Sequence, residues 1–161
     1  MPTAGQIRQL AQAAAQNAVD LAADARFLLD AGRFPRAHAL ATLALEELGK
    51  MELCQVVLEG KLDENDFRQE WSNHLWKLDR SRSLAILSAS TPARVFATAD
   101  DDFAMKLRGL YVDVNPVNPS GPPMTPSAVT PTLASEMVQT AEAASRAVGR
   151  SPVRGSAAQC L

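Results

Sequence analysis

Two long stretches of this chain repeat apolar residues every three or four positions, with one glycine between them. From Thr3 to Ala31, the residues Ile7, Leu10, Ala14, Leu21, Ala25 and Leu28 recur at helical spacing, the mark of an amphipathic helix. From Phe34 to Leu58, Ala37, Leu40, Ala41, Ala44, Leu48, Met51 and Val56 form a second such face. Gly32 stands where a helix stops in the left-handed conformation, and Pro35 suits the first turn of the next helix. So short a connection makes an antiparallel helical hairpin the default. Alanine favours helix and lets two helices approach closely. Only 5% of residues are aromatic, and β-branched residues hardly alternate, so a sheet has little support.

The remaining pattern adds two or three helices. Gly60 ends the second. A third starts near Asp63 to Asp66, where acidic residues suit a helix N-terminus. Phe67, Trp71, Leu75 and Leu78 mark its inward face, and it continues through Leu84, Ile86 and Leu87 until Ser90, Thr91 and Pro92 interrupt it. A fourth spans about Asp100 to Val112, with Phe103, Leu107 and Leu110 facing in. Residues 115–126 carry five of the chain's ten prolines and read as an extended loop. Thr130 and Pro131 form a cap and first position for a last helix over about 131–148, whose stripe is Leu133, Met137, Ala141, Ala144 and Val148. Residues 151–161 show no period and read as a flexible tail. The fold class is therefore all-α, an up-and-down bundle of four to five helices in one domain over 1–150.

Charge and cysteine usage narrow the function classes. A net charge of −2 rules out a strongly basic nucleic-acid carpet but leaves room for a local basic site. Cys54 and Cys160 are neither a disulfide framework nor a zinc site, and a reducing, cytoplasmic compartment is expected. No stretch approaches the roughly 20 apolar residues of a membrane span, and the N-terminus lacks the pattern of a signal peptide. The phosphate-binding GxxxxGK[ST], the dinucleotide GxGxxG and the serine elbow GxSxG are all absent from the sequence. A dimetal site on a bundle wants repeated Glu-x-x-His; here Glu70 stands four before His74 and there is no second copy. Neither a metal nor a cofactor is expected.

Polar residues that fall on apolar faces are the candidate site. Asn17 and Asp24 stack on one face of the first helix beside Ala14, Leu21, Ala25 and Leu28. They read as an interhelical hydrogen-bond network or as chemistry. Glu47, surrounded by Leu43, Ala44, Leu48 and Met51, is expected to point inward and to need a cation from Lys50, Arg33, Lys77 or Lys106. Glu46 is expected on the flank, four before Lys50. His74 lies on or beside the stripe of the third helix and is either a satisfied core group or an acid/base. His38 pairs with nothing by spacing and is expected at the surface or a hinge.

The run from Asn17 through Asp24-Ala25, Gly32-Arg33, Ala37, Leu40-Ala41 and Ala44 to Glu46-Glu47-x-Gly49-Lys50 resembles the AbiV family of abortive-infection proteins, in the HEPN superfamily of small helical bundles. His74-x2-Lys77 resembles that family's "H..K" element, and Lys106-x-Arg108-x-Leu110-Tyr111-Val112-Asp113 resembles its "K.R" and "LYVD" elements. The pieces keep the family's order over roughly residues 15–115. The resemblance implies a HEPN-type bundle in bacterial antiviral defence, a homodimer whose shared cleft cleaves RNA without a metal. Arg68, five residues, then His74 is similar to the superfamily's Arg-x4–6-His signature, although Gln69 follows the arginine where many members have a small polar residue. His74 is then the general acid/base and Arg68 the phosphate clamp. Lys77, Lys106 and Arg108 are expected at RNA or the cleft. Asn17, Asp24, Glu46, Glu47, Lys50, Tyr111 and Asp113 are expected as the supporting polar network. The alternative is a non-catalytic module that binds a phage protein, a translation component, an antitoxin or a nucleotidyltransferase. A bundle that senses a small molecule is a third reading.

Overall fold

The computed structural model describes residues 2–88, 99–110 and 129–150. They form six helices: α1 (Ala4–Asp30), α2 (Phe34–Leu58), α3 (Glu64–Ser72), α4 (His74–Ser88), α5 (Ala99–Leu110) and α6 (Pro131–Arg150). Among the described residues there is no strand. Tyr111, Asp113, the proline-rich segment 115–126 and the tail 151–161 lie outside the described residues.

The helix ends follow the local chemistry. Thr3 and Gln6 close a capping box at the start of α1. Gly32 and Gly60 take φ of +72° and +71°, the left-handed stops that the sequence pattern requires after α1 and α2. Asp63 Oδ1 accepts the Asp66 N–H at 2.9 Å to start α3, and Thr130 Oγ1 accepts the Leu133 N–H at 3.2 Å to start α6. The expected long third helix is two helices. Asn73 ends α3 in an extended conformation, with φ −81° and ψ 100°. Its side chain then accepts the Trp76 N–H at 3.0 Å and so begins α4. Apolar spacing alone carries across such a break, because Asn satisfies both helix ends without disturbing the period.

The hairpin of α1 and α2 is the frame, and α2 is its central rod. It packs against α1, α3, α4, α5 and α6. One side of the core joins Ala18, Ala22 and Ala25 of α1 to Ala37, Ala41, Ala44, Leu45 and Leu48 of α2 and to Met137, Val138, Ala141 and Ala144 of α6. A second cluster gathers Ile7, Ala11 and Ala14 with Met51, Leu53, Cys54 and Phe67. Because α2 is covered on every side, His38 is fully buried, not at the surface as expected. The seam of α1 runs through Ile7, Ala11, Ala14, Ala18, Ala22 and Ala25. Asn17 and Asp24, one position or about 100° off that seam, are exposed and belong to no buried network. Leu10, Leu75 and Leu110, expected to face in, are 37%, 38% and 41% exposed. In α5 the buried positions are Asp102, Lys106 and Gly109 instead.

Two glycines allow the close crossings that define this packing. A Cβ on Gly49 would stand 2.3 Å from the Lys77 carbonyl oxygen, so α2 and α4 touch backbone to backbone there. A Cβ on Gly109 would stand 2.3 Å from the Pro35 carbonyl oxygen and 3.1 Å from the Ala39 Cβ, so α5 meets the start of α2 in the same way. Gly49→Ala and Gly109→Ala should each cost about 1–3 kcal/mol by overpacking. Gly5→Ala, whose Cβ meets nothing nearer than Thr3 Oγ1 at 3.8 Å, should cost nothing; chemical denaturation of the three variants checks the contrast.

One forked ion pair ties the ends of the bundle. Arg26 Nε and Nη2 on α1 donate to the two carboxylate oxygens of Glu142 on α6 at 2.9 and 2.8 Å. The hydrogen bonds from Arg26 hold the Glu142 carboxyl below its ordinary value of 4.5, against a smaller opposing effect of burial. A lowered carboxyl contributes stability above its unfolded value and loses it as pH falls through the folded one. Arg26→Gln should therefore cost about 1 kcal/mol at neutral pH, and the difference from wild type should vanish in acid. Thermal melts of both proteins across that pH range check it.

Candidate functional site

The buried carboxylate of Glu46 is the meeting point of the separate sequence motifs. Its side chain is 4% exposed on the central helix α2. Lys106 Nζ, from α5, donates to Oε1 at 2.5 Å. His74 Nδ1, from the first residue of α4, lies 2.7 Å from Oε2. The Phe103 ring packs beside both partners: its centroid is 5.3 Å from that of His74 and 4.3 Å from Lys106 Nζ. A buried carboxylate needs such partners, since an isolated charge in the interior is costly. Lys106 is itself 5% exposed, whereas the His74 side chain is 47% exposed. The cluster thus has a dry end made of a lysine and a carboxylate and a wet end made of an imidazole.

The two adjacent glutamates exchange the places expected for them. Glu46 is interior, while Glu47, at 15% side-chain exposure, pairs with Lys50 of its own helix. The expectation of a single apolar face fails on a helix with neighbours all round. The signal available in the sequence is the run Ala37–Leu48, which is apolar on nearly every side and marks a rod buried all round. Lys50 also lies 5.8 Å over the Trp71 ring.

Lys77 is buried next to this cluster, not on an open cleft wall. Its ammonium reaches back to donate to the Trp71 carbonyl at 2.9 Å, closing the last turn of α3. Burial pushes its pKa below 10.5; Glu46 and Glu47 pull it back up, and Lys50 and Lys106 push it further down. Arg68 stands apart. It is on α3, 74% exposed, and donates to Glu64 one turn earlier at 2.7 Å. The break at Asn73 puts Arg68 and His74 on different helices. Arg108 is half-buried, with Nη1 3.8 Å from Met105 Sδ and a buried Nε that has no partner among the described residues. Of the expected residues, the structure brings together Glu46, His74 and Lys106, with Lys77, Glu47 and Lys50 around them. It does not bring Arg68, Asn17 or Asp24 to that cluster. Among the described residues no group of three His, Cys, Asp or Glu side chains is placed to hold a metal ion.

The described residues form an all-α bundle with a central buried helix and a histidine anchored at the start of a neighbouring helix, an architecture consistent with a small helical bundle of the HEPN type. The family model of AbiV matches residues 6–146. The chain belongs to the AbiV family and is an abortive-infection protein of the HEPN type. No curated protein and no solved structure matches it. Among the described residues no helix is long and apolar enough to cross a membrane.

Removing one partner from a buried ion pair strands the other. Lys106→Met should cost about 3–5 kcal/mol by leaving Glu46 with an uncompensated charge. The double variant Glu46→Leu/Lys106→Met should recover most of that loss. His74→Ala removes only the solvent-facing partner and should cost about 1 kcal/mol. Urea denaturation of the set checks this ordering.

Proposed function

We propose that this protein is an antiphage ribonuclease that cleaves RNA without a metal, acting as a homodimer with His74 as general acid/base. The observation that carries the reading is the exposure contrast at Glu46: a half-exposed imidazole tethered by one nitrogen to a buried carboxylate. A histidine kept only for packing has no need of a half-exposed ring. RNA brings its own nucleophile. The base takes the proton from the 2′-hydroxyl, whose oxygen attacks the adjacent phosphorus. The leaving 5′-oxygen receives a proton, and a cyclic phosphate and a 5′-hydroxyl result. An imidazole can carry out both transfers near neutral pH.

Arg68 is the proposed phosphate clamp. Its exposed guanidinium pairs with Glu64 on the same helix, a weak surface pair that a phosphate can displace. In a homodimer two His74 and two Arg68 serve one cleft, which gives a chain of net charge −2 a local positive field. The second reading, a non-catalytic module binding a phage or antitoxin protein, takes Glu46, His74 and Lys106 as a structural ion cluster.

The test incubates wild type and His74→Ala with single-stranded and structured RNA, with a chelator present throughout. Wild-type cleavage that falls at least about a hundredfold in the variant, with stability within about 1 kcal/mol of wild type, is the expected result. Cleavage at an equal rate by both proteins removes His74 from the chemistry. Inactivity of both purified proteins on every RNA favours the binding-module reading.

A further inference from the structure

We infer that Glu46 and Lys106 are positioning residues for His74: together they fix the proton of the neutral imidazole on Nδ1 and aim its bare Nε2 at solvent. The use of that Nε2 in RNA cleavage rests on the function proposed above; the placement of the proton does not. The argument starts from the acceptor. An ionised carboxylate offers lone pairs and no proton, so the 2.7 Å contact between Oε2 and Nδ1 requires the hydrogen to sit on Nδ1. Lys106 pairs with the same carboxylate: its ammonium donates to the other oxygen from an equally buried position.

The same two bonds fix orientation as well as protonation. Each oxygen of Glu46 is committed to a different helix, Oε1 to α5 and Oε2 to α4, so the carboxylate plane cannot turn without breaking one bond. Phe103, three residues before Lys106 on α5, lies against the imidazole face with its ring tilted by 31°. The ring is therefore held at one nitrogen and one face, and among the described residues Nε2 takes no hydrogen bond. This is the arrangement by which a buried acid orients a histidine base. Here a lysine from a third element secures the acid.

The experiment is two-bond proton–nitrogen correlation of the imidazole in isotope-labelled protein at about pH 9, where an ordinary histidine is neutral. An unconstrained neutral imidazole in water favours the proton on Nε2. The expected result for wild type is the opposite, with the proton on Nδ1. Glu46→Gln should return more than half of the signal to the Nε2–H form. Lys106→Arg should keep the wild-type pattern, since its guanidinium preserves the charge. Wild-type His74 carrying its proton on Nε2 overturns the inference, and so does a Glu46→Gln spectrum identical to wild type. Absence of RNA cleavage alongside an Nδ1–H spectrum defeats the ribonuclease reading alone and supports the positioning. If the protein does cleave RNA, folded Glu46→Gln should lose at least about a hundredfold in kcat with little change in KM.

Discussion

A single buried carboxylate organises this bundle. Glu46 sits on a helix that every other helix touches, where an unpaired charge is not tolerated. Its needs are met from two directions, by Lys106 of α5 and His74 of α4. Burial by itself would penalise the charges of Glu46 and Lys106. Mutual pairing removes most of that penalty and makes the relative placement of three helices depend on one residue. The cluster is thus weak as a source of net stability and strong as a specification of register.

Close backbone contact makes the pairing possible. Gly49 lets the Lys77 backbone lie directly on α2, three residues along from Glu46 and three along from His74. Gly109 does the same for α5, one turn after Lys106. A larger residue at either crossing would push its helix outward and lengthen the bonds at Glu46. These two glycines and the charged residues near them are therefore one device: the first set the approach, the second use it. Lys77 adds a local clamp, spending its ammonium on the Trp71 carbonyl to fix how α3 leaves α4.

The break at Asn73 separates the two residues that the sequence pairs most readily. His74 becomes the first residue of α4 and is tied to the interior. Arg68 stays on α3, whose one buried residue is Phe67, and faces solvent. The imidazole is tied to a buried carboxylate, whereas the guanidinium is paired with Glu64 at the surface of its own helix. On the function proposed above, that division suits a site in which proton transfer needs exact placement and charge neutralisation tolerates movement.

The sequence by itself determined the helices, the stops at Gly32 and Gly60, the Thr130 cap and the family, because these depend on periodicity, on backbone conformation and on motifs contiguous along the chain. It also named Glu46, His74 and Lys106 among the polar candidates. It did not determine which glutamate is buried, that His38 is interior, that Asn17 and Asp24 are exposed, or that one long helix is two. Those outcomes depend on what surrounds each helix. An apolar period identifies a face only when a helix has one covered side. On α2, covered all round, every direction is inward, and the partner that arrives there decides whether a carboxylate at position 46 or at position 47 is buried. Only the tertiary structure supplies that partner, because Lys106 lies sixty residues further along the chain.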